Sequence, residues 1–197
     1  MNEALLIIKR EHRNLSALLF CLKALTEALE ADDKKPDFRV FHGIIAYIDS
    51  FLDRFHHPKE DTYLFPALGR RYPEAEPILS ELEEQHRQGA ALLNELRKAL
   101  SGYEFQGAAA YPAFHKSVLA YTKFEYEHAR KEERELFPLA LEHLQKDDWQ
   151  TVEKVFSEND DPLFGEHRKK EFEKLHQIIV NLTPAPHGVG PAWETSP

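Results

Sequence analysis

Residues 56–66 read HHPKEDTYLFP, and residues 128–138 read HARKEERELFP. Both have the form H-x-x-x-E-[DE]-x-x-L-F-P, in which His56 matches His128 and the two glutamates match as well. A histidine and a glutamate four residues apart lie on one face of a helix, one turn apart. Each stretch therefore offers a natural pair of metal ligands, and the chain carries this pair twice.

A second repeat accompanies the first. The sequence EHRNLSALLF around His12 resembles EQHRQGAALL around His86, at nearly the same separation along the chain. The chain thus consists of two similar halves, each with one histidine on a first helix and one H-x-x-x-E on a second. Because short connections make neighbouring helices antiparallel, the halves predict an all-α, up-down-up-down four-helix bundle.

Composition supports a helical protein and excludes several classes of partner. The 197 residues include only 8 glycines, and the net charge is -9. No apolar run approaches the roughly 20 residues of a membrane span, and no basic stripe suited to nucleic acid is visible. The N-terminus does not resemble a signal peptide, and a single cysteine, Cys21, fits a reducing compartment. We therefore expect a cytoplasmic monomer or homodimer that binds neither membrane nor nucleic acid.

Apolar periodicity predicts the helix positions. The helices are expected at about 2–30, 37–68, 74–101 and 108–144, followed by shorter ones at about 147–157 and 165–181. Asp37 is a predicted N-cap, Pro58 predicts a kink, and SGYEFQG at 101–107 is a predicted loop. The domains are expected to be a bundle at 1–146, a helical extension packed on it at 147–182 and a flexible tail at 183–197.

The histidines of the repeats are predicted to meet at one level. Counting about 1.5 Å per residue from the predicted helix ends gives the four histidines similar heights in the bundle. The predicted metal ligands are His12, His56, Glu60, His86, His128 and Glu132. Burying six such groups without partners would cost on the order of several kcal/mol of folding free energy. A bound metal ion would offset this cost. Imidazole with carboxylate suits iron, manganese or zinc, and iron is our choice.

At this point the chain resembles the hemerythrin-like (HHE cation-binding) family. The resemblance rests on the order H…H-x-x-x-E…H…H-x-x-x-E, with LFP after the H-x-x-x-E of the second helix, and covers residues 1 to about 145. It implies two iron ions with a bridging oxo or hydroxo group. It assigns His12 and His56 to one iron, His86 and His128 to the other, and Glu60 and Glu132 to the bridges.

One departure from the family bears on function. Oxygen-carrying members have a further histidine one turn after the third-helix histidine, where this chain has Ala90. The iron held by His86 and His128 is therefore expected to lack one protein ligand, a position for water, for a side chain from elsewhere or for substrate. The departure disfavours simple oxygen carriage. It favours binding or reduction of dioxygen, peroxide or nitric oxide.

The functional alternatives are three. The enzyme hypothesis is a peroxide-consuming, catalase-like di-iron oxidoreductase, with catalytic residues unknown because no dedicated acid or base is evident. The second is a sensor of oxygen, redox state or iron, or a metal store, without turnover. The third is a structural, redox-silent site, such as one for zinc.

Other residues near the motifs have competing interpretations. Glu83 and Glu125 stand three residues before the predicted ligands His86 and His128 and form the E-x-x-H pattern of ferritin-like ligands. Asp53 stands likewise three residues before His56. If they do not bind metal, these three are expected to accept from imidazole N–H groups.

The remaining candidates are expected to lie outside the metal site. Asp61 and Glu133 are expected to be solvated. His57 should point about 100° away from His56 on an ideal helix and is not expected to bind metal. Tyr121 and Cys21 are interpreted as core residues, and the remaining histidines as surface or minor core residues.

Overall fold

The computed structural model describes residues 2–32, 36–157 and 181–193. These residues form four long helices and a shorter fifth, and no sheet is present among them. The first helix is Glu3–Asp32; the second comprises Phe38–Ile48, Asp49–His56, His57–Lys59, Glu60–Leu64 and Phe65–Arg71; the third is Glu76–Gln106; the fourth comprises Tyr111–Lys131, Glu132–Leu136 and Phe137–His143; the fifth is Lys146–Ser157. Single 3₁₀ turns, Pro73–Ala75 and Gly107–Ala110, precede the third and fourth helices. The predicted all-α bundle is confirmed.

Two helix ends show how local sequence sets the boundaries. Asp37 caps the second helix, as predicted, by accepting the backbone N–H of Arg39 at 3.0 Å. The third helix runs through the stretch predicted as a loop and ends at Gly107, whose φ of 67° lies in the left-handed region. The predicted loop at 101–107 is therefore wrong. Tyr103 packs in the core, and this packing outweighs the low helix propensity of Gly102.

Three wide turns accompany three prolines in the second and fourth helices. The π-helical segments are Asp49–His56, Glu60–Leu64 and Glu132–Leu136. In each, the residue before the proline donates its N–H to a carbonyl five residues back: His57 to Leu52, Phe65 to Glu60 and Phe137 to Glu132. A proline ring clashes with the carbonyl four residues back in an α-helix. The wider turn accommodates Pro58, Pro66 and Pro138 while the helix continues.

Two apolar clusters fill the bundle on opposite sides of the predicted ligands. The larger cluster takes residues after His12 and His86 and before His56 and His128, such as Leu22, Phe41, Leu96 and Phe114. The smaller cluster takes residues from the opposite ends of the same helices, such as Ile8, Leu68, Leu82 and Leu136. Burying each such side chain contributes about 1.5–3 kcal/mol. This division requires consecutive helices to run antiparallel with the ligands at one level.

The fifth helix packs on the bundle beside the smaller cluster. Its Phe156 is fully buried there. Asp148 Oδ2 accepts hydrogen bonds from Arg71 Nε at 2.6 Å and from the backbone N–H of Gln145 at 3.1 Å. Burial alone would raise the pKa of Asp148, but these two hydrogen bonds lower it below its usual value. The predicted helix at about 147–157 is thus present, whereas residues 165–180 of the next one lie outside the described residues.

The described part of the tail, residues 181–193, lies against the larger cluster. Thr183 is buried, and the ring of Trp193 lies 5.8 Å from that of Phe41. Leu182 and Trp193 thus pack against the core from this segment, while the predicted domain limits stay a prediction. No helix in the described ranges is long and apolar enough to cross a membrane.

Candidate metal centre

All six predicted ligands lie in the layer between the two apolar clusters. Their exposed fractions run from 0% for Glu60 and Glu132 to 6% for His86. The ring centroids of His12 and His56 are 5.2 Å apart, and those of His86 and His128 are 4.9 Å apart. The structure therefore brings together the pairs that the repeat predicts.

The two carboxylates lie between the histidine pairs. Glu132 has one oxygen 3.2 Å from His12 Nε2, and its other oxygen is 3.5 Å from His128 Nε2 and 3.7 Å from His86 Nε2. Glu60 Oε2 lies 3.5 Å from His56 Nε2 and 3.6 Å from His86 Nε2. Each glutamate thus reaches histidines of both halves, which is the arrangement that bridging ligands need.

In each of the four predicted histidine ligands, the Nδ1 atom, which faces away from the layer, contacts a neighbouring side chain. The Nδ1 contacts are His12 with Glu133 at 3.1 Å, His56 with Glu11 at 2.8 Å, His86 with Asp61 at 2.8 Å and His128 with Gln85 at 3.0 Å. With Nδ1–H donating outward, each Nε2 faces the layer, and in a neutral or metal-bound imidazole its lone pair is directed there. Such outer partners fix ring orientation and increase ligand basicity.

These partners differ from the predicted ones. Asp61 and Glu133 are partly exposed, at 38% and 34%, but they hold His86 and His12, so the prediction that they are simply solvated was wrong. The Nδ1 positions that Glu83 and Glu125 were expected to serve belong to other residues. The side chain of Asp53 lies outside the described part of the chain.

A sequence signal for the outer partners exists. Glu11 and Gln85 directly precede His12 and His86, and Asp61 and Glu133 directly follow the two central glutamates. The partners therefore repeat with the same period as the ligands.

His57 also belongs to this layer, contrary to expectation. It is buried, and its ring is stacked on that of His86, with centroids 4.0 Å apart and planes at 13°. Its centroid is 5.4 Å from that of His128 and 5.5 Å from that of His56. The prediction that His57 points away from the site was wrong. His56 faces the first helix and His57 faces the third, so both rings lie in the layer.

The chemistry of the layer fits a bound cation. Among the described residues, the Nε2 atoms of His56, His86 and His128 and both carboxylate oxygens of Glu60 are buried and make no hydrogen bond. A buried polar atom without a partner costs about 1–3 kcal/mol. Metal coordination would satisfy these atoms together.

The pKa values of two histidines respond to the central and outer carboxylates. Burial alone lowers the pKa of His12, but Glu132 and Glu133 outweigh it and raise the pKa to about 9. Burial likewise opposes Asp61 and Glu132 at His86, whose pKa also rises to about 9. In the metal-free protein near pH 7 these imidazoles are therefore protonated.

The remaining groups of the layer shift the other way. Burial, together with the charge of Glu132, raises the pKa of Glu60 well above its usual value. Burial would raise the pKa of Glu132 too, but the surrounding histidines hold it well below the usual range. Burial lowers the pKa of His56, and lowers that of His128 to about 4. Metal-free protein therefore holds protons where a cation would sit.

The potential ligand atoms fall into two groups. One consists of His12, His56, Glu60 and Glu132, and the other of His57, His86 and His128. Within each group the atoms lie within 4.8 Å of one another, close enough to hold a metal ion. Neither group contains Glu83 or Glu125, so among the described residues the geometry does not favour the ferritin-like alternative.

The other candidates of the sequence lie away from this layer. Tyr121 is buried in the larger cluster, and Cys21 packs against the same cluster, which supports their interpretation as core residues. Burial raises the pKa of the Cys21 thiol, although a hydrogen bond with Thr183 opposes the shift. His42 is exposed and contacts Glu104 at 2.8 Å. His167 and His176 lie outside the described residues.

Two shallow clefts on the outside of the fourth helix reach the layer. One extends to His128 and is bordered by Gln85, Phe124 and Lys131. The other extends to His12 and is bordered by Arg13, Tyr126 and Glu133. Arg130 and Arg134 border both clefts. Each cleft thus borders one histidine of the layer, His128 in the first and His12 in the second.

A helical bundle with imidazoles and carboxylates converging on its interior defines a metal-binding bundle protein. The family model of the hemerythrin HHE cation binding domain matches residues 4–140. The chain therefore belongs to the hemerythrin HHE family, whose members bind metal, typically iron. A search of curated proteins gives no match.

Proposed function

We propose that this protein holds two iron ions in the buried layer and binds or reduces a small oxidant there. The observation that supports the proposal best is the set of Nε2 atoms and carboxylate oxygens that converge in the layer without hydrogen bonds among the described residues. His12 and His56 would hold one ion, and His86 and His128 the other. Glu60 and Glu132 would bridge them. Imidazole with carboxylate suits iron.

The chain supplies orientation and a dry environment. The outer carboxylates and Gln85 keep every Nδ1–H turned outward, so that each Nε2 presents its lone pair inward. The apolar clusters on both sides keep bulk water from the layer. When bound, the iron ions supply one-electron redox chemistry and an acceptor position for the oxidant.

Access favours small ligands. The clefts that reach His12 and His128 are shallow, and the ligands behind them are at most 6% exposed. Dioxygen, peroxide and nitric oxide are small enough to enter such a site with minor side-chain movement. Peroxide disproportionation is the first turnover to test.

The test is metal analysis of purified protein, followed by an optical spectrum after oxidation. We expect about two irons per chain and the near-ultraviolet absorption of an oxygen-bridged ferric pair, which zinc does not give. Mixing ferrous protein with dioxygen, peroxide or nitric oxide should change that spectrum. Protein without iron, or iron that responds to none of the three oxidants, would overturn the proposal.

A sensing or metal-storing role without turnover is the second candidate. It is favoured by contact between the fifth helix and the layer, since the ring of Phe156 lies 6.5 Å from that of His56. A movement of His56 on metal binding would therefore act on the packing of Phe156 in the fifth helix. Trp149 of the same helix packs against the smaller cluster, which contains Phe156, and provides an intrinsic fluorescence reporter.

The reporter distinguishes the two candidates. If the protein is a sensor, Trp149 emission should change between ferrous and ferric protein, while Trp193→Phe leaves that change intact. Unchanged emission together with peroxide turnover would exclude the sensor. The cytoplasmic location and the monomeric or homodimeric state stay predictions of the sequence.

A further inference from the structure

We propose that His57 is the third imidazole ligand of the metal ion held by His86 and His128. It would fill the position that Ala90 leaves without a histidine on the third helix. The inference rests on the proposed function, namely that the layer holds two metal ions. It concerns which residues complete each ion.

The position of His57 carries the inference. Its side chain is 5% exposed, so it lies within the protein and not beside it. The ligand atoms of His57, His86 and His128 all lie within 4.8 Å of one another. Three imidazoles gathered at that spacing match the histidine-rich sets that proteins use for iron and zinc.

The arrangement of the bundle explains how His56 and His57 can both face the layer. In a four-helix bundle the second helix has two neighbours, the first and third helices, which lie in directions about 90° apart. Consecutive helical residues point about 100° apart. His56 accordingly lies beside His12 of the first helix, and His57 beside His86 of the third. The π-type hydrogen bond from His57 to Leu52 widens the helix at this point.

The third helix does not offer the missing ligand. Ala90 is exposed, so a side chain at this position does not face the layer. The adjacent Gly89 is buried, and a Cβ atom there would lie 3.1 Å from Glu125 Oε1 and 3.2 Å from the Phe124 ring. The turn after His86 is therefore closed by the fourth helix, and the ligand must come from elsewhere.

The consequence is an unequal pair of metal sites. The ion with His57, His86 and His128 has three imidazoles, whereas the ion with His12 and His56 has two, and the two carboxylates are shared. The position open to an exogenous ligand then belongs to the ion beside His12, opposite to the expectation from Ala90. The cleft lined by His12 and Glu133 is the one that borders the ligands of this ion.

Cobalt(II) substitution tests the assignment. Each imidazole bound to paramagnetic cobalt retains one N–H, which gives a strongly shifted, solvent-exchangeable proton signal. We expect five such signals in the cobalt-loaded protein. His57→Gln should remove one of the five signals. It should also weaken binding of the second cobalt by at least about tenfold, because the loss of an outer partner alone already costs about that much and the loss of a ligand should cost more. His42→Gln is the control, because His42 is 44% exposed and contacts Glu104, which is not a residue of the layer.

The outcomes separate the two proposals. Four signals in the wild-type protein, none of them lost in His57→Gln, would overturn the role of His57 while leaving a metal centre. No bound cobalt and no shifted signal would overturn the proposed function itself. If His57→Gln does not fold, the wild-type count of five or four still decides the question.

Discussion

The two hairpins of the bundle provide the same ligands in different settings. Each gives one histidine from its first helix and an H-x-x-x-E from its second. Each glutamate reaches histidines of both hairpins: Glu60 contacts His56 and His86, and Glu132 contacts His128 and His12. The first hairpin has His57 where the second has Ala129, and Glu11 where the second has Gln85. The repeat therefore builds a symmetric frame. The two single-residue differences make the two halves of the layer chemically unequal.

The difference at the outer partners acts on ligand basicity. A carboxylate, Glu11, accepts from His56, whereas a neutral amide, Gln85, accepts from His128. A hydrogen bond to a charged acceptor is roughly twice as strong as one to a neutral acceptor. The His56 imidazole is thus the more electron-rich ligand. Four predictions test the shared frame and then the differences, in order of decreasing effect.

Removing a shared carboxylate should break the frame that joins the hairpins. Glu132→Ala deletes the group that lies closest to histidines of both halves, so we expect iron to fall from about two per chain to about one or fewer. Elemental analysis measures this content, and circular dichroism checks that the helices persist. Glu127→Ala should retain the wild-type content. Full iron content in Glu132→Ala would show that Glu132 is not a bridge.

Removing an outer partner should weaken binding without abolishing it. Asp61→Ala frees Nδ1 of His86, and the loss of such a partner typically costs about 10–100-fold in metal affinity. Competition with a chelator measures the change. Glu84→Ala is the control, because Glu84 is exposed and bonds Arg87 on the same helix. Equal affinities in the two variants would contradict the role given to Asp61.

Metal binding should depend on pH because protons and metal compete for the same nitrogens. The folded, metal-free pKa values of His12 and His86 are raised to about 9, so the stabilisation from their charged forms is present below about 6.5 and is lost as pH rises through about 9. Bound metal needs these nitrogens deprotonated. Binding near pH 7 should therefore release protons, and apparent affinity should rise between about pH 6.5 and 9.

Calorimetry in buffers of different ionisation enthalpy measures the proton release. We expect one proton from each of the two histidines, with a further contribution from Glu60, whose pKa is raised. Binding without proton release, or affinity that falls with rising pH, would contradict the charge distribution in the layer.

Making the outer partners alike should reduce the inequality of the hairpins. Gln85→Glu places a carboxylate against Nδ1 of His128 and should raise the pKa of that histidine from about 4 in metal-free protein. The gain in metal affinity should be modest, about three- to tenfold, the difference between a charged and a neutral acceptor. Nuclear magnetic resonance titration follows the pKa, and Gln88→Glu, one turn away on the surface, is the control. An unchanged His128 pKa would contradict the contact.

Much of the fold and the ligand set could be predicted because both follow from periodic sequence. Two repeats at one spacing predict two hairpins, and the positions of His12, His56, His86 and His128 along them predict a common level. The structure brings all four together with Glu60 and Glu132. Their role as metal ligands stays a prediction that the metal experiments test.

The remaining features depend on direction around a helix, which sequence spacing alone does not give. A single inward direction for the second helix predicts that His57 points away from the site, but this helix has two neighbours and therefore two inward directions. The sequence predicts Asp61 and Glu133 to be solvated, because a partly exposed carboxylate has the same sequence pattern whether or not it accepts a hydrogen bond from a histidine. The third helix continues past Gly102 because buried Tyr103 stabilises it, a tertiary effect that propensity does not report.

Diffraction from iron-loaded crystals, with anomalous scattering recorded at the iron edge, tests the central claim most directly. The claim is that both hairpins build one layer that holds two ions between Glu60 and Glu132. We predict two peaks in that layer, one beside His12 and His56 and the other beside His86 and His128. A single peak, or peaks only at the protein surface, would contradict it.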